Sequence, residues 1–142
     1  WRDCPEITHF VAGLGTSGTL MGVGTFLKQQ NPDIKIIAVE PPLGERVEGL
    51  RNIEDGYIPP VFENWHGRDV LDRKRVVCPR ESLEWTRRLV QECGIFAGIS
   101  SGASLEKSNG SKDSTGGVTT LGAECVVEDK MLSRGTVLIP CN

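Results

Sequence analysis

Residues 7–24, ITHFVAGLGTSGTLMGVG, decide how the chain is read. A short apolar run, Ile7 to Ala12, passes directly into Gly13-Leu14-Gly15-Thr16-Ser17-Gly18-Thr19, and an amphipathic segment follows. That is the grammar of a buried strand, a tight glycine turn and a helix start. The first N–H groups of such a helix lack intrahelical acceptors and sit at the positive end of the helix dipole. A phosphate fits there without any Lys or Arg. The hydroxyls of Thr16, Ser17 and Thr19 add donors. The dipole contributes only about 0.3–1 kcal/mol, so most of the affinity has to come from several converging hydrogen bonds.

Outward from this turn, Leu20, Val23 and Leu27 recur at helical spacing, with Met21 and Phe26 widening the apolar face. Asn31-Pro32 ends the helix. Ile34 to Val39 is a second strand, stopped by Glu40-Pro41-Pro42. Strand, helix, strand over this length predicts a βαβ unit with parallel strands. Residues 43–52 carry a short, charged helical pattern, and residues 53–75 read as a long loop of the kind that binds or covers a ligand. Residues 75–78 are a short strand candidate. Pro79 then opens a helix with Glu81 and Glu84 in its first turns, a face of Leu83, Thr86, Leu89, Val90 and Cys93, and Gly94 as the left-handed cap. Ile95 to Ala103, IFAGISSGA, repeats the opening grammar: an apolar run, hydroxyls and glycine before a helix. From Glu106 to Thr120 the chain turns Ser/Gly/Lys/Thr-rich without periodicity, and reads as linker. Two apolar runs, 123–127 and 136–139, close it.

The bulk numbers exclude several classes. The chain has 142 residues, enough for one domain with a real core. A net charge of −3, with both signs interspersed, gives no nucleic-acid surface and no polybasic membrane patch. No apolar run approaches the roughly 18 residues of a membrane span. The N-terminus, Trp1-Arg2-Asp3-Cys4-Pro5, is no signal peptide and reads as a chain entered in mid-sequence. Cys4, Cys78, Cys93, Cys125 and Cys141 are odd in number and form no C-x-x-C. They read as thiols of a reducing, cytoplasmic setting, with no metal site.

Gly13-x-Gly15-x-x-Gly18 is a literal match to the dinucleotide fingerprint, and Glu40 ends the second strand where a ribose-binding acid would stand. An NAD(P)-binding βαβ domain is therefore one reading. Two features favour a phosphate monoester instead. The hydroxyls close the turn into a cup for one dianion, and the second turn at Ser100 suggests a hold on another part of the same small ligand.

Four segments in order, GLGTSGTLMGVG, IKIIAVEP, LRNIEDGYIPP and GIFAGISSGA, resemble the C-terminal half of the large domain of cysteine synthases. That family of fold-type II pyridoxal-phosphate enzymes also includes cystathionine β-synthase. The resemblance covers residues 1–105 and implies an α/β fold with a partly parallel sheet and flanking helices. It implies pyridoxal phosphate as cofactor, its phosphate cradled by Gly15, Thr16, Ser17, Gly18 and Thr19. Ser100 would hydrogen-bond the pyridine nitrogen. A neutral hydroxyl leaves that nitrogen largely unprotonated, which suits β-elimination, where a long-lived carbanion is not wanted. Gly56 would lie beside the substrate. Arg51 resembles an arginine of the branch that uses O-phosphoserine, although a solvated charge is an equal reading of it. The implied reaction is β-replacement on O-acetylserine or O-phosphoserine with a sulfur donor, giving L-cysteine in a homodimer.

The chain departs from the family in two places. The family's Schiff-base lysine, which bonds the cofactor's aldehyde, and its S/T-S-G-N-T loop lie in an N-terminal half that has no counterpart here. Lys28, Lys35, Lys74, Lys107, Lys112 and Lys130 match neither context. From Glu106 the family's small-residue helix is not evident, so residues 106–142 read as a divergent tail. The expectation is a partial, inactive chain: either a PLP-binding fragment or a non-catalytic truncated product.

Overall fold

The computed structural model describes residues 5–109 and 120–122. In chain order the elements are β1 (His9–Gly13), α1 (Gly18–Gln30), β2 (Lys35–Glu40), α2 (Pro60–Asn64), α3 (Gly67–Val70), β3 (Arg73–Val76), α4 (Pro79–Cys93), α5 (Ile99–Asn109) and β4 (Thr120–Gly122). The strands form one sheet in the order β3-β2-β1-β4. Every pairing is parallel, with β1 against β2 in register from His9↔Lys35 to Gly13↔Val39. The α/β class and the parallel βαβ unit therefore stand.

Both central strands are apolar on both faces, as a parallel sheet covered on each side requires. Phe10 and Ala12 of β1, with Ile36 and Ala38 of β2, face one core. There they meet Leu20, Met21 and Leu27 of α1 and Phe62 of α2. Val11, Ile37 and Val39 face the other core, built with Val47, Leu50, Val77 and Ala103. Alternation along the strand sorts the two sets. Burying each of the large aliphatic side chains contributes about 1.5–3 kcal/mol. Gly24 of α1 permits close approach: a Cβ there would stand 3.2 Å from both Ile36 and Val70. Gly22 meets nothing within 4 Å.

Asp72 ties α1 to the sheet. Its Oδ2 accepts from the Ile36 N–H at 2.8 Å and lies 2.7 Å from Lys28 Nζ, while Oδ1 lies 3.5 Å from Lys35 Nζ. Burial acts to raise this carboxyl, but the Lys28 hydrogen bond, the Ile36 N–H and the two ammonium charges outweigh it and hold the group below its ordinary value.

Several expectations from periodicity are corrected. Residues 43–52 form no helix. Gly44 (φ +79°) and Gly49 (φ +83°) occupy the left-handed region and break any helical run. Residues 53–75 are not one open loop: Asp55 and Tyr57 line a cleft, and most of the rest is helix or strand. They contain α2 and α3, with Phe62 buried against Gly67, and they pack into the core under α1. The third strand begins at Arg73, two residues earlier than its apolar end suggested. On α1, Phe26 is 48% exposed. On α4, Leu83 and Val90 are exposed while Ser82 and Leu89 are buried. A small-residue contact displaces the apolar stripe there. A Cβ on Gly102 of α5 would collide with the Ser82 carbonyl and the Thr86 hydroxyl, so the two helices meet backbone to backbone. Pro79 and Gly94 do open and close α4 as read, with the Cys78 N–H donating to Glu81 Oε2 at 3.3 Å and Gly94 at φ +67°. No strand precedes α5, and Phe96 is 94% exposed. The helix α5 continues past Glu106 to Asn109. The runs at 123–127 and 136–139 lie outside the described residues.

Candidate functional site

The strand β1 delivers its glycine turn to the end of the sheet. The Leu14 N–H donates to the Val39 carbonyl at 2.7 Å, extending the β1–β2 pairing into the turn. Helix α1 then begins, its Met21 N–H bonded to the Ser17 carbonyl at 2.9 Å. Ser17 itself is left-handed, at φ +70°. For a residue with a Cβ this conformation costs on the order of 1 kcal/mol. Ser17 is also 3% exposed, and its Oγ has no hydrogen-bond partner. A buried, unpaired hydroxyl costs about 1–3 kcal/mol. Strain and an orphaned donor coincide at the one residue where the chain turns into the helix. Thr16 and Gly18 are exposed and Gly15 and Thr19 half-buried, so the turn is open to solvent on either side of that buried hydroxyl.

The loop 43–52 is clamped onto this turn residue by residue. A Cβ on Gly13 would strike Leu50, the Arg51 N–H donates to the Leu14 carbonyl at 2.7 Å, and a Cβ on Gly15 would strike the Gly49 carbonyl. Further along, Asn52 is buried. Its Nδ2 donates to the Pro41 carbonyl at 2.9 Å and its Oδ1 accepts from the Glu54 N–H at 2.9 Å. A cleft of about 780 Å³ results, bounded by Gly15 and Thr16 of the turn, by Pro41, by residues 44–52 of the loop, Arg46 and Arg51 among them, and by Asp55 and Tyr57. The Arg51 guanidinium stacks over the Tyr57 ring, 4.9 Å from its centroid. Arg51 is exposed, pinned at its backbone and laid on an aromatic face. Gly56 is exposed at φ +88°, between the cleft residues Asp55 and Tyr57.

Ser100 sits in the first turn of α5, half-buried, and its backbone carbonyl accepts from Ser104 Oγ at 3.1 Å. It approaches the rest of the site through Gly49, whose missing Cβ would lie 3.6 Å from Ser100 Cβ and Oγ. The two turns are therefore brought together, with Gly49 touching both. Sequence reasoning missed Gly49, Asn52 and Tyr57. The available signal was a glycine, Gly49, inside a supposed helix.

Glu40 is occupied elsewhere. It is 2% exposed, with Oε1 3.1 Å from Lys74 Nζ and Oε2 accepting from the Ile53 N–H at 3.5 Å. It fastens the loop to β3 and is not presented to a ribose. Lys74 also pairs with Glu54 at 2.7 Å. Burial alone would lower its ammonium, but hydrogen bonds to Glu54 and Glu40 raise it above its ordinary value. Lys28 and Lys35 pair with Asp72, and Lys107 lies 2.6 Å from Glu106 Oε2. Among the described residues, the cleft lining includes no lysine.

With this geometry in place, the comparisons decide the family. A family model described as pyridoxal-phosphate dependent enzyme matches residues 1–123. The chain belongs to that family. Within it, the chain is similar to the cysteine synthase of Aquifex aeolicus, 44% identical over 101 residues covering 70% of this chain and 30% of the relative. It is also similar to cysteine synthase B of Salmonella typhimurium, 32% identical over 136 residues covering 95% of this chain and 44% of the relative. Its fold is that of the crystal structure of O-ureido-L-serine synthase, with a TM-score of 0.69 and 31% identity over 82% of this chain and 38% of that one. The chain thus spans roughly a third of the length of the curated relatives it matches. Pyridoxal-phosphate dependence is a property of the whole family, and the matched stretch runs past residue 105 through α5.

Proposed function

We propose that this chain carries the phosphate- and ring-binding part of a cysteine synthase active site. The orphaned hydroxyl of Ser17 carries the reading. It is buried and without a partner, it belongs to a strained residue at the N-terminus of α1, and a phosphate oxygen would supply the acceptor it lacks. Gly18, where an added Cβ would meet only Thr16 Oγ1 at 3.9 Å, leaves room for that oxygen to approach the backbone, Gly15 would offer its N–H, and Thr16 and Thr19 flank it. Ser100 would hold the pyridine nitrogen, its hydroxyl uncharged. When bound, pyridoxal phosphate supplies the electron sink for β-replacement on an activated serine. Arg51, laid on Tyr57 at the mouth of the cleft, would orient an anionic leaving group such as the phosphate of O-phosphoserine. Gly56 would let the loop pass close to that substrate. The sulfur donor is a small molecule, and the whole enzyme works as a cytoplasmic homodimer.

The 142 residues alone would bind but not turn over. Lys28, Lys35, Lys74 and Lys107 are committed to ion pairs of the scaffold, which leaves none of them to bond the aldehyde or take the α-proton. Supplied with pyridoxal phosphate, an activated serine and sulfide, the chain should form no cysteine, and measured cysteine would overturn this point. The binding reading is tested by titration. Ser17→Ala should weaken pyridoxal phosphate about tenfold or more, the loss of one hydrogen bond to a charged group. Saturable NAD binding with no response to pyridoxal phosphate would instead restore the dinucleotide reading.

A further inference from the structure

We infer that Gly49 is a positioning residue that sets the distance between the phosphate turn and Ser100; this rests on the cofactor reading above. Three observations converge on it. Its carbonyl occupies the space a side chain at Gly15 would need. Its own Cα faces Ser100, so that an added Cβ would stand in van der Waals contact with both Cβ and Oγ of that serine. Its φ of +83° lies in the region that L side chains rarely adopt. The peptide cannot slide away, because the next residues are fastened. The Leu50 side chain seats on Gly13, and the Arg51 N–H bonds the Leu14 carbonyl. Gly49 is thus a fixed spacer one residue thick. A ligand held at both ends is gauged by this spacer, whereas a ligand held only by the turn is indifferent to it.

That difference makes the inference testable with two probes on the full 142-residue chain. Inorganic phosphate engages only the turn. Pyridoxine phosphate, which has no aldehyde to react with lysines, engages the turn and Ser100 together. Gly49→Ala should weaken pyridoxine phosphate about tenfold or more while leaving inorganic phosphate within about twofold. It should in this respect copy Ser100→Ala, whereas Gly15→Ala should weaken both probes. If Gly49→Ala weakens the two probes equally, or neither, Gly49 is a mere structural glycine and the inference fails, with the cofactor reading intact. If the unaltered chain binds neither probe, the cofactor reading itself fails and takes the inference with it. Should Gly49→Ala not fold, Gly49→Asn, which tolerates the left-handed region better, carries the same comparison; equal loss of both probes there counts against the spacer.

Discussion

The turns at Gly13–Thr19 and at Gly98–Ala103 look alike in sequence, each an apolar run followed by glycine and hydroxyls before a helix. The structure uses their glycines differently. At the first, a true strand leads in, and Gly13 and Gly15 make room for an incoming loop. At the second, no strand leads in, and Gly102 makes room for a neighbouring helix at Ser82 and Thr86. The first turn leaves a buried hydroxyl without a partner; the second directs its serine at Gly49. Similar composition therefore makes room for a loop in one place and for a helix in the other.

Substitutions can break that contrast. Gly102→Val should be the most damaging, because besides the Thr86 hydroxyl it meets the Ser82 carbonyl and Thr86 N, backbone of α4 that cannot swing aside. A loss of about 3 kcal/mol or more is expected, a large share of the roughly 5–15 kcal/mol that holds a domain folded. Urea unfolding measures it, and unchanged stability would show that α4 and α5 do not meet there. Gly15→Ala should cost less, about 1–3 kcal/mol as loop 43–52 shifts, yet it should abolish phosphate affinity. If the two variants lost phosphate equally at equal stability, the division of labour would be wrong.

Smaller effects probe the scaffold under the first turn. Asp72→Asn should cost about 0.5–1 kcal/mol, discounted because the pairs are partly open to water. The Asp72 carboxyl is held below its ordinary value of 3.8. Its contribution is therefore fully present above that pH and is lost as pH falls through the depressed folded value. The variant's stability should fall less steeply than that of the unaltered chain at the acid end, and identical acid limbs would remove Asp72 from the account. Gly22→Ala should act in the opposite direction, stabilising α1 by about 0.5–1 kcal/mol, since nothing lies within 4 Å of the new Cβ. Destabilisation there would contradict the packing of α1.

Much of this was legible in the sequence, for physical reasons that also explain the misses. The strands at 9–13 and 35–40 and the helix caps at Asn31, Pro79 and Gly94 follow from local rules that tertiary contacts rarely override. The loop 43–52 was misread because its charges mimic a helix, while its conformation is fixed by Gly44 and Gly49 at positive φ and by long-range bonds to Leu14 and Pro41. The face of α4 was misread because backbone contact with Gly102, not an apolar stripe, decides which side turns inward. At the site, the glycines and hydroxyls of residues 13–19 mark the tight turn into α1, but they do not show that Ser17 would be left-handed and its hydroxyl unpartnered. That Gly49 would stand between the cup and Ser100 could not be read from spacing, since it depends on how the loop folds back over the end of the sheet.

The central claim is that the turn from Gly15 to Thr19 holds a phosphate through its N–H groups and the Ser17 hydroxyl. Amide chemical shifts of the nitrogen-labelled chain, recorded during titration with inorganic phosphate, test it most directly. Saturable shifts should be largest at Gly15 to Thr19, and Ser17→Ala should reduce both their size and the affinity. Absence of saturable shifts at these residues, or a response centred on Arg46 and Arg51 alone, would contradict the account.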